Sequence, residues 1–160
     1  MQKSDKKEIL KSFIKDLEDS YELLAKLAHE AKEHATDEDS AAENKYDTRG
    51  LESSYLAGAQ SLRAKEFQEA IYYYKRINTE LASKSIVVGS LVHVKIDDKD
   101  KFFFIVPVKG GLTISFNDIE IQSLSSSSPL GSRLLGKQSE DVFEWQQGEN
   151  ELECEILRVL

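Results

Sequence analysis

The sequence predicts an α+β protein in which a long antiparallel coiled-coil hairpin (residues 1–84) precedes a small antiparallel β domain with one short helix (residues 85–160). Three observations lead to this prediction. The apolar residues of the first half recur with helical spacing, those of the second half alternate as in strands, and the period changes near Ser85. The first proline is Pro107, so no proline interrupts the helical half.

An apolar seam predicts the first helix. Its steps alternate between three and four residues, which is the spacing of a coiled coil. The members of the seam are Leu10, Ile14, Leu17, Tyr21, Leu24, Ala28, Ala31 and Ala35. The seam shrinks from leucine and isoleucine to alanine, and small residues let two helices approach closely. We therefore expect a pair of helices that narrows toward the end of the first one.

Two apolar stripes predict a second helix after residue 50. The stripes are Leu51, Tyr55, Gly58 and Leu62, followed by Phe67, Ala70, Tyr74, Ile77 and Leu81. They join at an irregular step near Lys65 and Glu66, where the seven-residue repeat slips. Such a slip changes the winding of a coiled coil without ending it. Two helices of this kind, joined by a short turn, form an antiparallel hairpin.

Five or six short strands around one helical turn are predicted for the second half. The strand-like runs are "SLVHVKI" (90–96), "KFFFIVPV" (101–108), "LTISF" (112–116), "IEIQSL" (119–124), "DVFEWQQG" (141–148) and "ELECEILRVL" (151–160). Ser128 before Pro129 predicts the start of the helical turn, because serine caps helices and proline suits their first position. Phe102 to Val106 is apolar on both faces, so we expect this strand at the centre of the sheet.

Composition narrows the class of partner. The chain has 29 acids and 21 bases, a net charge of −8, and neither half is the basic body that grips nucleic acid by its phosphates. The one cysteine, Cys154, allows no internal disulfide and no thiolate metal site, and we expect a structural thiol. Because no signal peptide or roughly twenty-residue apolar run occurs, we expect a cytoplasmic protein that binds another protein and no membrane.

The densest negative charge lies between the two predicted helices and has three interpretations. The acids are Asp37, Glu38, Asp39, Glu43 and Asp47. Helix capping accounts for some of them, since "SAAE" (40–43) fits a capping box. A metal site within this chain is the second interpretation, although the segment lacks the central glycine of a calcium loop. In the third, the hairpin donates two carboxylates to Mg²⁺ in the active site of another molecule, where the metal polarises water for phosphodiester cleavage.

Two motifs resemble the Gre family of bacterial transcription elongation factors. "DEDSAAENKY" (37–46) resembles the acidic tip of that family, which is followed by Glu-Asn and a tyrosine. "SLSSSSPLGSRLLGKQSEDVFEW" (123–145) resembles its Ser-Pro-Leu-Gly segment, leucine-rich turn, Gly-Lys pair and the Asp before the next strand. The resemblance covers nearly the whole chain. It implies that the C-terminal domain has an FKBP-like fold.

The resemblance also implies a function and a set of site residues. The hairpin would enter the secondary channel of RNA polymerase, where Asp39 and Glu43 would be the donated catalytic carboxylates that share the second Mg²⁺ during cleavage of backtracked RNA. The tip support would come from Asp37, Glu38, Asn44 and Tyr46, and the polymerase-binding segment would be Ser128, Pro129, Leu130 and Gly131. The chain would have no nuclease site and no cofactor of its own. It would reach nascent RNA and DNA only through the polymerase.

One departure from the family pattern raises an alternative function. The family spaces its working Asp and Glu three residues apart, whereas Asp39 and Glu43 are four apart. At that spacing the two side chains still share one side of a helix. The alternative is a channel-binding modulator or inhibitor of RNA polymerase that does not stimulate cleavage.

The implied FKBP-like fold raises a more remote alternative, a peptidyl-prolyl isomerase with an aromatic pocket for proline. The aromatic candidates are Phe102, Phe103, Phe104, Phe116, Phe143 and Trp145, which we expect to fill the core of the sheet instead. His29, His34 and His93 have no serine–acid or cysteine partner at motif spacing, so nucleophilic catalysis has no support. The sequence thus predicts a factor that acts through another enzyme.

Overall fold

The structure is a computed structural model that describes residues 2, 4–36, 49–81, 83–148 and 150–160. The elements in chain order are α1 (Asp5–Thr36), α2 (Arg49–Tyr74), β1 (Leu91–Ile96), β2 (Lys99–Val106), β3 (Thr113–Phe116), β4 (Ile119–Ser125), α3 (Pro129–Leu134), β5 (Val142–Gln147) and β6 (Asn150–Val159). The predicted α+β class, with long helices before a β domain that holds one short helix, is confirmed. Among the described residues, no helix is both long and apolar enough to cross a bilayer.

The chain forms two compact units. One comprises Met1–Ile14 together with Tyr73–Leu160, and the other comprises Lys15–Tyr72. Because the first residues of α1 group with the last residues of α2, the two helices run in opposite directions, as an antiparallel hairpin requires. The domain boundary placed after residue 84 remains a prediction about the organisation of the chain.

The sheet has six strands in the order β3-β4-β2-β1-β6-β5 over the described residues. Its neighbours are antiparallel except for β2 and β4, which run parallel with Phe103 opposite Gln122. The prediction of an antiparallel sheet is therefore wrong at this pair. After β2 the chain passes to the edge of the sheet and forms β3 there. It then turns back and forms β4 between β3 and β2, so β4 runs in the same direction as β2. The central position of β2 is confirmed.

Both faces of β2 are buried from Phe103 to Val106, whereas its first three residues are exposed. On one face, Phe103 and Ile105 join a core that includes Leu130 and Leu134 of α3. On the other, the Phe104 ring lies 6.0 Å from the ring of Phe13 in α1. This double burial explains why the second half of the strand has no polar face.

The side chains of Cys154 and Tyr74 are also buried in this unit. Burial raises the pKa of the Cys154 thiol to about 11, an effect that the nearby positive charge of Lys137 reduces. Burial likewise raises the pKa of Tyr74 to about 12, and a hydrogen bond with Ser123 acts in the opposite direction. The Tyr74 hydroxyl donates to the Lys109 carbonyl at 2.9 Å. The burial of Tyr74 agrees with its place on the second predicted apolar stripe.

The packing face of α2 differs from the predicted one in the first half of the helix. The first predicted stripe is exposed along its whole length: Leu51, Tyr55, Gly58 and Leu62. In the first half of the helix the buried or half-buried residues are instead Ala57, Gln60 and Ala64. The second predicted stripe is confirmed within α2, where Phe67 is half-buried and Ala70 and Tyr74 are buried. Alanines explain the difference, since Ala64 of α2 shares a groove with Ala25 and Ala28 of α1. Small side chains on both helices permit a closer approach than leucine and tyrosine would.

Candidate functional site

The predicted tip site falls on residues for which the structure gives no account. Asp37, Glu38, Asp39, Glu43, Asn44 and Tyr46 all lie outside the described residues. The described chain stops at Thr36, the last residue of α1, and resumes at Arg49, the first residue of α2. Within the described ranges, no group of three or more His, Cys, Asp or Glu side chains is placed to hold a metal ion. The donated carboxylates and the shared Mg²⁺ stay predictions.

The second predicted site is the Ser-Pro-Leu-Gly segment, which forms the N-terminus of α3. Ser128 is the N-cap: its backbone is extended (φ −69°, ψ 158°), and its hydroxyl accepts from the Gly131 amide at 3.1 Å. The same hydroxyl donates to the Ser125 carbonyl at 2.7 Å. Pro129 follows in the first turn, where its missing N–H costs nothing. The predicted helix start is confirmed.

Gly131 holds this turn against the end of β4. A Cβ at this position would lie 2.0 Å from the Ser125 carbonyl oxygen and 2.8 Å from the Ser128 hydroxyl oxygen. No side chain fits into that space, so the glycine is required by close backbone approach. Gly131 and Leu130 are buried, whereas Pro129 is exposed. Most of the segment therefore packs inside the domain, and Pro129 is its exposed residue.

A cavity of about 560 Å³ opens beside this turn. Its walls come from the β1–β2 hairpin, β4, α3, β5 and β6. The lining residues are Ile96, Asp97, Lys99, Lys101, Phe103, Gln122, Leu124, Ser128, Pro129, Leu130, Trp145 and Leu152. We call this the α3 groove. Its volume lies within the usual range of ligand pockets, which have apolar walls and a few polar groups.

The α3 groove combines an apolar floor with a positive rim. Phe103, Leu130 and Trp145 are apolar lining residues, and Lys99 and Lys101 are exposed lysines on one wall. Asp97 is the only acid among the lining residues, so the lining carries one net positive charge in a chain whose total is −8. An apolar group next to a carboxylate matches this lining, because the lysines attract the charge and the floor accepts the apolar part.

The α3 groove contains some of the predicted polymerase-binding residues and some of the aromatics considered for a proline pocket. Of the predicted polymerase-binding residues, Ser128, Pro129 and Leu130 line the α3 groove and Gly131 does not. Of the six aromatics considered for a proline pocket, Phe103 and Trp145 line it.

Two of the other aromatics have different contacts. Phe102 stacks on His93 with ring centroids 4.2 Å apart, and His93 Nε2 lies 2.7 Å from Asp100 Oδ1. Phe143 lies beneath the ammonium of Lys137, at 4.8 Å.

Sequence reasoning missed the lysine wall of the groove. The assignment of Lys99 and Lys101 to a binding surface required the position of α3 across the sheet. Gln122 and Leu152 were missed for the same reason, since they come from strands far apart in the sequence. The sequence held a local signal only for the lysines, which are two positive charges separated by one residue on an exposed hairpin.

Both the sequence and the structure of this chain were compared with those of known proteins. No protein-family profile matches the chain, and no curated protein sequence matches it. Solved structures do. They are Gfh1 and GreA/GreB transcription factors.

The individual likenesses are low in identity. GreA factor homolog 1 (Gfh1) of Thermus thermophilus is 19% identical over 96% of this chain and 93% of its own, with a TM-score of 0.37. Gfh1 of Thermus aquaticus is 20% identical over 93% and 92%, with a TM-score of 0.39. The prokaryotic transcription elongation factor GreA/GreB from Nitrosomonas europaea is 20% identical over 58% and 78%, with a TM-score of 0.37.

Proposed function

We propose that this chain is an RNA polymerase-binding transcription elongation factor whose helical hairpin enters the secondary channel of the enzyme. The observation on which the proposal rests is the position of the acidic segment between two long antiparallel helices. α1 has 32 residues and α2 has 26, so at about 1.5 Å per residue they extend roughly 48 and 39 Å. The Ser-Pro-Leu-Gly segment at the cap of α3 adds the second motif of the resemblance.

The proposed chemistry of the tip is metal assistance in trans. Asp39 and Glu43 would help to hold the second Mg²⁺ of the polymerase, and that ion would activate water for cleavage of backtracked RNA. Carboxylates suit this task because Mg²⁺ takes hard oxygen ligands and completes its shell with groups from other molecules. Asp39 and Glu43 are four residues apart, whereas the Gre family spaces its pair three apart. This difference supports the alternative function, a modulator that would occupy the same channel without helping to hold the metal.

The α3 groove is the proposed docking site for the outer rim of the channel. Its apolar floor would take an apolar side chain of the polymerase, and Lys99 and Lys101 would face a neighbouring carboxylate. Exposed charges at the edge of an interface mainly steer association and set its dependence on salt. We therefore expect the groove to contribute affinity and orientation, while the tip supplies chemistry.

Charge reversal in the groove tests this docking site. Lys99→Glu with Lys101→Glu is expected to weaken binding to core RNA polymerase by about tenfold, because two surface attractions become repulsions. The measurement is a pull-down with core enzyme at several salt concentrations. The matched control is Lys11→Glu with Lys84→Glu, which changes the net charge equally at exposed lysines outside the groove lining. Equal binding by the two double variants would rule out the groove, and no binding by the wild type would rule out the proposed function.

A further inference from the structure

Part of α2 presents an apolar, uncharged surface. Residues 53–62, "SSYLAGAQSL", contain no charged side chain, although 31% of the chain is charged. Leu51 is 56% exposed, Tyr55 72% and Leu62 62%. At 3.6 residues per turn, positions 51, 55, 58 and 62 fall within about 60° of the helix circumference. This stripe, here named the outer face of α2, lies opposite the side that contains Ala64 and Tyr74.

Depletion of charge together with exposed aromatic and aliphatic side chains is typical of the centre of a protein interface. Polar, charged residues are the ordinary choice for a solvated helix face. Within the described residues, the chain does not cover Leu51, Tyr55 or Leu62. The composition of this face therefore indicates contact with another molecule.

Gly58 at the middle of the outer face is a second sign of contact. Glycine in a helix interior is less favourable than alanine, because it loses more backbone freedom on folding. A Cβ at Gly58 would meet nothing within 4 Å, and the backbone of Gly58 is not left-handed. Neither packing nor backbone conformation in this structure requires glycine here. The missing side chain leaves a notch at Gly58 in the outer face, and a side chain of another molecule could fill this notch.

We infer that the outer face of α2 binds the same face of a second copy of this chain, with the two α2 helices antiparallel. When facing residues have numbers that add to 113, Tyr55 lies opposite Gly58 of the second copy and Leu51 lies opposite Leu62 of the second copy. The largest side chain of the face thus meets its notch, and leucine meets leucine. Two-fold symmetry repeats each contact, so both copies use one surface.

The absence of charge in residues 53–62 makes this segment the more favourable interface between two copies. A chain with a net charge of −8 repels its own copy over most of its surface. Residues 53–62 let two copies touch without bringing carboxylates together. In the same register Glu52 is level with the uncharged Ser61 of the second copy. The pairing of Tyr55 with Gly58 in this register is the observation that favours a second copy over another partner.

The contact is small, so the dimer is expected to be weak. A few large side chains per copy bury less than a standard interface, and we expect dissociation on the order of 0.1 mM. Sedimentation equilibrium from about 10 µM to about 1 mM, chosen to bracket that value, should show the mass rising from 18.1 kDa toward twice that value. A wild type that stays monomeric throughout would overturn the inference.

Paired substitutions locate the contact. Leu62→Lys should weaken the dimer at least about tenfold, since it places charge in an apolar layer. Leu23→Lys is the control: Leu23 is 58% exposed, similar to Leu62, but lies on α1. Gly58→Ala should raise the melting temperature in dilute solution yet weaken the dimer by filling the notch. Equal effects of Leu62→Lys and Leu23→Lys on association would overturn the inference.

Disulfide trapping tests the register. Leu51→Cys mixed with Leu62→Cys should form the mixed disulfide, whereas either variant alone should form little, because like positions are about 16 Å apart along the helix axis. The wild type controls for Cys154, which is fully buried. Preferential linking within one variant alone would overturn the antiparallel register. These experiments contain no polymerase, so their outcome is independent of the proposed function.

Discussion

Replacing Asp39 by Asn and Glu43 by Gln is expected to abolish stimulation of RNA cleavage by stalled RNA polymerase, with a loss of at least about a hundredfold in rate. Amides keep the size of the carboxylates but remove the negative charge that would attract Mg²⁺ and help to hold it. The measurement follows the shortening of labelled RNA in stalled complexes with wild type, variant or no factor.

A matched variant separates the chemistry from simple charge. Asp47→Asn with Glu52→Gln removes the same number of charges at residues close to the tip in sequence that have no proposed role in it, and it should retain most of the cleavage. Polymerase binding by each variant is measured in parallel. If the wild type binds the polymerase and never shortens the RNA, the cleavage mechanism is contradicted and the non-cleaving modulator remains.

The substitution Gly131→Ala is expected to lower the free energy of unfolding by about 3 kcal/mol. The new methyl group would enter the space that the Ser125 carbonyl occupies. Either the end of β4 or the start of α3 must then move, which breaks the Ser128 cap and shifts Leu130 within the core. Urea denaturation of the wild type and the variant measures the difference.

Gly58→Ala provides the control, because it makes the same chemical change where nothing lies within 4 Å. In dilute solution it should raise the free energy of unfolding by about 0.5–1 kcal/mol, since alanine favours a helix interior. Opposite signs at the two positions would show that close approach, and not loss of glycine itself, sets the cost at Gly131. Little destabilisation by Gly131→Ala would contradict the packing described for α3.

The sequence predicted those features that depend on neighbouring residues. Ser128 and Pro129 identified the start of α3 because a cap is formed within a few residues of chain. The apolar run from Phe102 to Val106 identified the central strand, since burial on both faces removes alternation. The capped turn of the predicted polymerase-binding segment therefore follows from the local sequence.

Features that depend on distant residues were missed or misassigned. α2 has apolar side chains on two sides, and periodicity alone favoured Leu51 and Leu62 over Ala57 and Ala64. The choice between these sides depends on the alanines of α1, which no pattern within α2 contains. The parallel β2–β4 pair and the lysine wall of the α3 groove were likewise invisible, because both depend on the path of the chain between strands.

The central claim is that the acidic end of the hairpin reaches the catalytic metal of RNA polymerase, and photocrosslinking from the tip tests it most directly. A photoreactive amino acid replaces Asp39, the variant is bound to stalled polymerase, and the linked peptides are identified by mass spectrometry. The account predicts crosslinks to the polymerase segment that carries the catalytic Mg²⁺, and their loss when a known secondary-channel binder is added in excess. Crosslinks confined to the outer surface of the polymerase would contradict it.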